Sequence, residues 1–353
     1  MTKFRKYDIA EMLGFTRIAT VQDTEVWEHL LTPQVKALIG PITRYGEPHV
    51  METVRGHFPG DEVTNLNKHQ LYAGSMEHVR FPYLSTLHMT EHGALVIKRD
   101  ALKVKAFCWV GDVMAGTAEL VFITALRDRR YDGTLRANDT ALLFWTYDDP
   151  KYHRILTPEA RSVEVSIYSF LPGSRILDTT GEPEFDEFIE KPFTFLNRPK
   201  LFEEYFKRAW KTRRAPGQNA AAIQDVSKLA LPAFEQIARS KGYDFVEAAT
   251  SHYHVAMWFK SRGYRYSYDK DVQAMTKLGE GIKQVKDSGK RLTRTQESWL
   301  CVLQSLRPTD LIPEGLYFNG PLWPQDNVGP ELLWMNKPLT EKAAQLITGP
   351  LPF

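Results

Sequence analysis

Residues 244 to 269, DFVEAATSHYHVAMWFKSRGYRYSYD, constrain the fold more than any other stretch of the chain. The segment DFVEAAT is short and apolar and reads as a strand. Val255, Trp258 or Phe259, and Arg262 then step by three and four, the spacing of a helical face. Gly263 stands where that helix needs a left-handed residue to stop it. Tyr264, Tyr266 and Tyr268 alternate beyond it, so a second strand is expected to carry three aromatic rings on one face. A strand, a short helix, a glycine stop and another strand in close succession require a sheet with helices packed on it. Core packing accounts for such rings more readily than ligand binding does.

Upstream, strands are expected at Ala94 to Ile97, Val104 to Val110, Glu119 to Ala125, Ala141 to Tyr147 and Ser162 to Phe170, all rich in β-branched and aromatic residues. In SVEVSIYSF, Val163, Val165 and Ile167 share one face and Glu164, Ser166 and Tyr168 the other, the pattern of a half-buried strand with Glu164 in water. Helix-like patterning covers Val26 to Leu38 and, with a Pro-rich break at Arg198, Glu182 to Lys211. Ile223, Val226, Ala230, Phe234 and Ile237 form an apolar stripe reaching Lys241-Gly242, and Pro232 inside it predicts a kink or a restart. Residues 270 to 315 read as polar and helical, 316 to 330 as a Gly/Pro loop, and ELLWMNKPL as a closing strand.

The chain has 353 residues, 43% of them hydrophobic, enough for a large core. A net charge of +2 gives no global attraction to nucleic acid or membrane. Cys108 and Cys301 are the sole cysteines, which excludes a disulfide framework and a cysteine-only zinc cage. The N-terminal segment mixes charge into every turn, and no apolar run reaches the length of a membrane span; Ala115 to Leu126 is too short and is broken by Glu119. No membrane partner and a cytoplasmic setting are expected.

The order of elements after Arg214, with HYHVAMWFKSRGY and the late LLWMNKPL, resembles the C-terminal half of the GNAT superfamily of N-acyltransferases. The likeness runs from about Arg214 to Leu339. It implies an α/β fold with a mixed central sheet flanked by helices, a core over 91–345 interrupted by insertions at about 172–212 and 270–330, and an N-terminal extension over 1–90. It implies acetyl-CoA or another acyl-CoA as co-substrate and an amine, small or macromolecular, as acceptor. In that family the pyrophosphate rests on backbone amides at the start of the central helix, where the helix dipole favours an anion. RAPGQN, Arg214 to Asn219, matches that loop at Arg214 and Gly217, with Gln218 between them and Asn219 in place of a small residue. His252 stands where an asparagine often starts the next helix. Phe259 replaces a tyrosine that protonates the departing thiolate, so His254 or Tyr253 would inherit that role. Glu164 and Glu247 are the candidate bases.

Other readings compete. His88 to His92, HMTEH, has the form of an inverted zinc-peptidase motif, which needs a helix to bring both imidazoles to one face. Lys207, Arg208, Lys211, Arg213 and Arg214, with Trp210 among them, form a basic cluster suited to nucleic acid or to the cofactor's phosphates, and Lys283 to Arg294 adds a second. The departures at Asn219 and Phe259 also fit a degenerate core serving as a structural module.

Overall fold

The computed structural model describes residues 17–45, 48–50, 84–99, 103–112, 118–128, 161–172, 182–212, 214–218, 221–323 and 332–345. A 3-10 turn (Arg17–Thr20) and a short helical stretch (Asp23–Glu25, then the π-helical turn Val26–Leu30) lead to helix α1 (Pro33–Ile39). The helical segment expected from Val26 to Leu38 is thus divided. Thr32, whose hydroxyl accepts from the Val35 amide, and Pro33 restart it. Strands β1 (Ile42–Arg44), β2 (Pro48–Val50), β3 (Leu84–Thr90), β4 (Gly93–Arg99), β5 (Lys103–Val110), β6 (Glu119–Asp128) and β7 (Ser162–Ser169) follow. The strand expected at Ala141 to Tyr147 lies outside the described residues.

The second half holds α2 (Pro183–Glu190), a 3-10 turn (Pro192–Phe195), α3 (Pro199–Lys211), α4 (Val226–Ser240), β8 (Phe245–Thr250), α5 (Tyr253–Lys260), β9 (Arg265–Tyr266), α6 (Asp269–Asp287), α7 (Arg294–Leu303), β10 (Leu333–Pro338) and α8 (Glu341–Gln345). Helix α4 runs through Pro232 because that residue lies on the exposed face, where water can satisfy the carbonyl left without a donor. Gly263, at φ +84°, ends the turn after α5 as its position predicts. The tyrosine strand is shorter than expected: Tyr264 and Tyr266 are buried, while Tyr268 already precedes α6.

All ten strands form one mostly antiparallel sheet, ordered β1-β3-β4-β5-β6-β7-β8-β10-β9, with β2 also paired to β3. The closing strand enters between β8 and β9, antiparallel to both. The described residues before 90 join this sheet and its core. Strand β3 pairs with β4, and Ile18, Val21, Val26, Leu30 and Val35 share the main core with α4. A smaller cluster, including Val96, Phe107, Trp109 and Ile123, occupies the sheet's other face.

Helices α2 and α3, with the 3-10 turn between them, pack on α7 through aromatic rings. The Phe188 ring stacks on Trp299 at 5.4 Å and meets Phe195 and Phe202 edge-on at 5.3 and 5.2 Å. Trp299 Nε1 donates to the Arg214 carbonyl at 2.9 Å, tying α7 to the bend ahead of α4.

Candidate functional site

The one parallel pairing among the described strands is also incomplete. Ser162, Val163 and Glu164 of β7 pair with Phe245, Val246 and Glu247 of β8, and there the pairing ends although both strands continue. β7 keeps its bonds to β6 as far as Ser169, so its other edge diverges from β8 beyond Glu164. A split in mid-sheet offers strand-edge amides and carbonyls to an extended ligand.

Glu164 and Glu247 face each other at the point where the strands part. The same register line runs from Arg127 on β6 through Glu164 and Glu247 to Asn336 on β10. Paired residues of neighbouring strands project to one face, so these side chains form a polar row about 4.8 Å apart from strand to strand. Glu164 is 1% exposed, Glu247 0% and Asn336 0%, which corrects the expectation of a solvated Glu164. Arg127 Nε lies 3.7 Å from Glu164 Oε2. Asn336 Nδ2 donates to Ser267 Oγ at 2.9 Å, and its Oδ1 has no partner. Such a buried, unsatisfied acceptor costs about 1–3 kcal/mol. Tyr168, four residues along the same face of β7 from Glu164, has its phenol pushed up to about 12 by burial and by the Glu164 charge.

A second polar group sits where β8 passes into α5. His252 is 7% exposed; its Nδ1 lies 2.9 Å from Ser251 Oγ, and its buried Nε2 has no partner. Burial and the neighbouring His254 pull its pKa down to about 3. His254 Nδ1 is 2.9 Å from Ser298 Oγ, and burial, with the Arg294 charge, takes its pKa down to about 4. Both imidazoles are therefore neutral at working pH, which removes His254 as an imidazolium donor. Tyr253 is no readier, since burial raises its phenol.

These shifts predict a pH dependence. The unfolded chain binds protons near the ordinary histidine value of 6.5, whereas the native sites resist until about 3 and 4. Stability is unaffected by them above that ordinary value and falls as pH drops through the window. Urea midpoints measured from pH 7 to 4 are expected to decline, and His252→Gln to flatten the decline; parallel curves for both proteins refute the assignment.

The bend RAPGQN does not present open amides. Gly217 N donates to the Ile189 carbonyl at 2.8 Å, Gln218 N to Ala215 O at 3.2 Å, and Ala215 N to Gln218 Oε1 at 3.0 Å. Gly217, at φ +81°, also lies against the His252 ring: a Cβ there would stand 2.4 Å from His252 Cε1. The expected phosphate cradle at Gly217 and Gln218 is corrected on these grounds, and Arg214 is engaged with buried Asp186 at 2.9 Å. Asn219 lies outside the described residues. The segment leading into α4 is tied to the end of β7. Leu171, just past β7, donates to the Ala221 carbonyl at 2.8 Å, and Asp225 (φ 59°) turns the chain into the helix without a side-chain cap. The first amides of α4, from Val226 to Lys228, precede the earliest intrahelical donor, Leu229 N.

Phe259 is a core residue, edge-on to Trp258 and Tyr264 at 4.7 and 4.9 Å. His88 stands on β3 and His92 in the following turn, so the helix that a zinc motif needs is missing there. His88 Nε2 instead meets Asp23 Oδ2 at 2.7 Å. Among the described residues, no His/Cys/Asp/Glu group of three or more could hold a metal. The basic cluster is largely compensated: Lys207 pairs with Glu203, Arg208 with Glu182, and Arg214 with Asp186. Lys211 is exposed, and Arg213 is outside the described residues. No described helix is long and apolar enough to cross a membrane.

Arg127 and Asn336 escaped the sequence reading. An asparagine amid the apolar closing strand LLWMNKPL was the available signal, because a polar side chain in a central strand must find a polar neighbour. No protein-family model, no curated protein and no solved structure matches the chain.

Proposed function

We infer that the protein transfers an acyl group, acetyl in the simplest case, from acyl-CoA to an amine. The observation that carries this reading is the split between β7 and β8, with two buried carboxylates at its vertex. The pantetheine arm would lie along the open edge of β7 as an added strand does, its amides pairing with the backbone. The pyrophosphate would rest on the free amides of Val226 to Lys228, where the helix dipole and unpaired donors favour an anion. Backbone donors at the vertex would hold the oxyanion as the amine attacks the thioester carbon. Glu164 would take the amine's proton, and the thiolate would leave as the tetrahedral carbon collapses to the amide. His252 Nε2, buried and unpaired at the start of α5, would hydrogen-bond the acyl carrier.

Acetyl-CoA is expected to stabilise the protein against unfolding, by about 2.7 kcal/mol at a hundredfold excess over Kd. Ser227→Glu is the discriminating variant. A carboxylate in the first turn of α4 favours the helix but repels phosphate. The variant is expected to unfold at an unchanged or higher temperature and to lose the acetyl-CoA shift. Absence of any shift in the unsubstituted protein at millimolar acetyl-CoA would end the reading.

A further inference from the structure

Two basic segments that lie far apart in the chain are brought together by the packing of α3 on α7. Gln296 Nε2 donates to the Trp210 carbonyl at 3.5 Å, and Trp299 Nε1 to the Arg214 carbonyl at 2.9 Å. The first turns of α7 are thereby fixed against the end of α3. Lys211 is the last residue of α3, Lys290 and Arg291 stand in the turn between α6 and α7, and Arg294 opens α7. All four are exposed, and none of their side chains has a hydrogen-bond or ion-pair partner among the described residues. Asp287 and Glu297, the acidic residues flanking the turn, are already paired with Lys283 and Lys286, and Glu203 on α3 with Lys207. The dipole of α7 disfavours a cation at its first residue, so the Arg294 charge does not serve that helix. Trp210, partly exposed beside Lys211, is held on the Phe206 ring at 5.4 Å.

We propose that the end of α3 and the α6–α7 turn form one cationic surface that binds single-stranded nucleic acid. Its phosphates meet Lys211, Lys290, Arg291 and Arg294, and a base lies against the Trp210 ring. Unpaired cations carried by two helices suit a polyanion whose charge is spread along its length. A membrane would need apolar side chains to insert beside those cations. The large exposed ones among the described residues are Tyr45, Leu171, Leu229, Tyr317 and Leu322, none of them on α3 or in the turn, and Leu292 in the turn packs on the core. An acidic peptide would leave the indole unused, whereas an unpaired base stacks on it, and a duplex keeps its bases stacked on one another. This binding requires nothing of the acyl-transfer reading.

Fluorescence anisotropy of the full chain with a labelled oligothymidylate tests the surface. Contacts to three or four phosphates give log K a slope of about −2 to −3 against log salt, a loss of about 20- to 50-fold between about 50 and 200 mM. Lys211→Gln and Arg294→Gln, one on each helix, are each expected to reduce that slope by about 0.7. Both side chains are exposed, so thermal unfolding is expected to stay unchanged. Poly-glutamate, and the duplex formed with oligoadenylate, are expected to bind about fivefold or more weakly than the single strand, the least that one stacked base contributes. No binding at the lowest salt, or a slope that either variant leaves unchanged, overturns the proposal. Poly-glutamate or duplex bound as tightly as the single strand overturns it too, as do vesicles of anionic lipid that bind more tightly than the oligonucleotide.

Discussion

Replacing Glu164 by glutamine is expected to lower acetyl-CoA-dependent acylation by about 100- to 10,000-fold in kcat, the range over which positioned bases contribute. The side chain keeps its size, so the split between β7 and β8 persists and acetyl-CoA binding is expected to stay within about twofold, under the 1.4 kcal/mol that a tenfold change requires. The pair of carboxylates at the vertex allows a sharper comparison. Glu247 lies next to Asn336 and Glu164 next to Arg127, so their environments differ although their register is shared. Glu247→Gln is expected to lower kcat less than Glu164→Gln does, since Glu164 is taken as the base. Steady-state kinetics of both variants decide the roles. Loss of kcat in Glu247→Gln with Glu164→Gln intact would move the base to β8, and two active variants would remove the vertex from the chemistry.

Local pattern revealed the elements, and long-range register revealed the site. Alternation in SVEVSIYSF located β7, and the helix-glycine-strand order located α5, Gly263 and β9, because each signal is contained within a few residues. That Glu164 is buried could not be read from alternation. A strand with a polar face looks the same whether that face meets water or a row of polar partners on Arg127, Glu247 and Asn336. The Pro-Gly bend misled for a related reason. Its composition suits a phosphate loop, but whether amides are free depends on distant acceptors, and the Ile189 carbonyl takes the decisive one. Charge runs likewise do not show their counter-ions, since Glu182 and Asp186 sit more than twenty residues before the arginines they pair with. Elements of the first ninety residues joined the main core because their apolar positions match α4 in space, a relation with no local signature.

Phe188→Ala is expected to cost about 3–5 kcal/mol in urea unfolding, the range for truncating a buried phenylalanine in a rigid surrounding. Phe188 is fully buried where α2, α3 and α7 meet, in contact with the rings of Phe195, Phe202, Tyr205 and Trp299. Four aromatic neighbours cannot collapse into the space without breaking their mutual geometry, which places the cost toward the upper end. The loss should also be felt at the site. The next residue, Ile189, holds the Gly217 amide, and Gly217 lies against the His252 ring. Loosening that contact admits water to His252 Nε2, so its imidazole is expected to titrate closer to the ordinary value and to react faster with diethylpyrocarbonate. Phe188→Leu retains most of the volume and is expected to lose less than about 1.5 kcal/mol while leaving His252 protected. A full stability loss in Phe188→Ala with His252 still shielded would show that the bend is held by its own turn bonds. Helices α2, α3 and α7 would then support the fold without gating the start of α5.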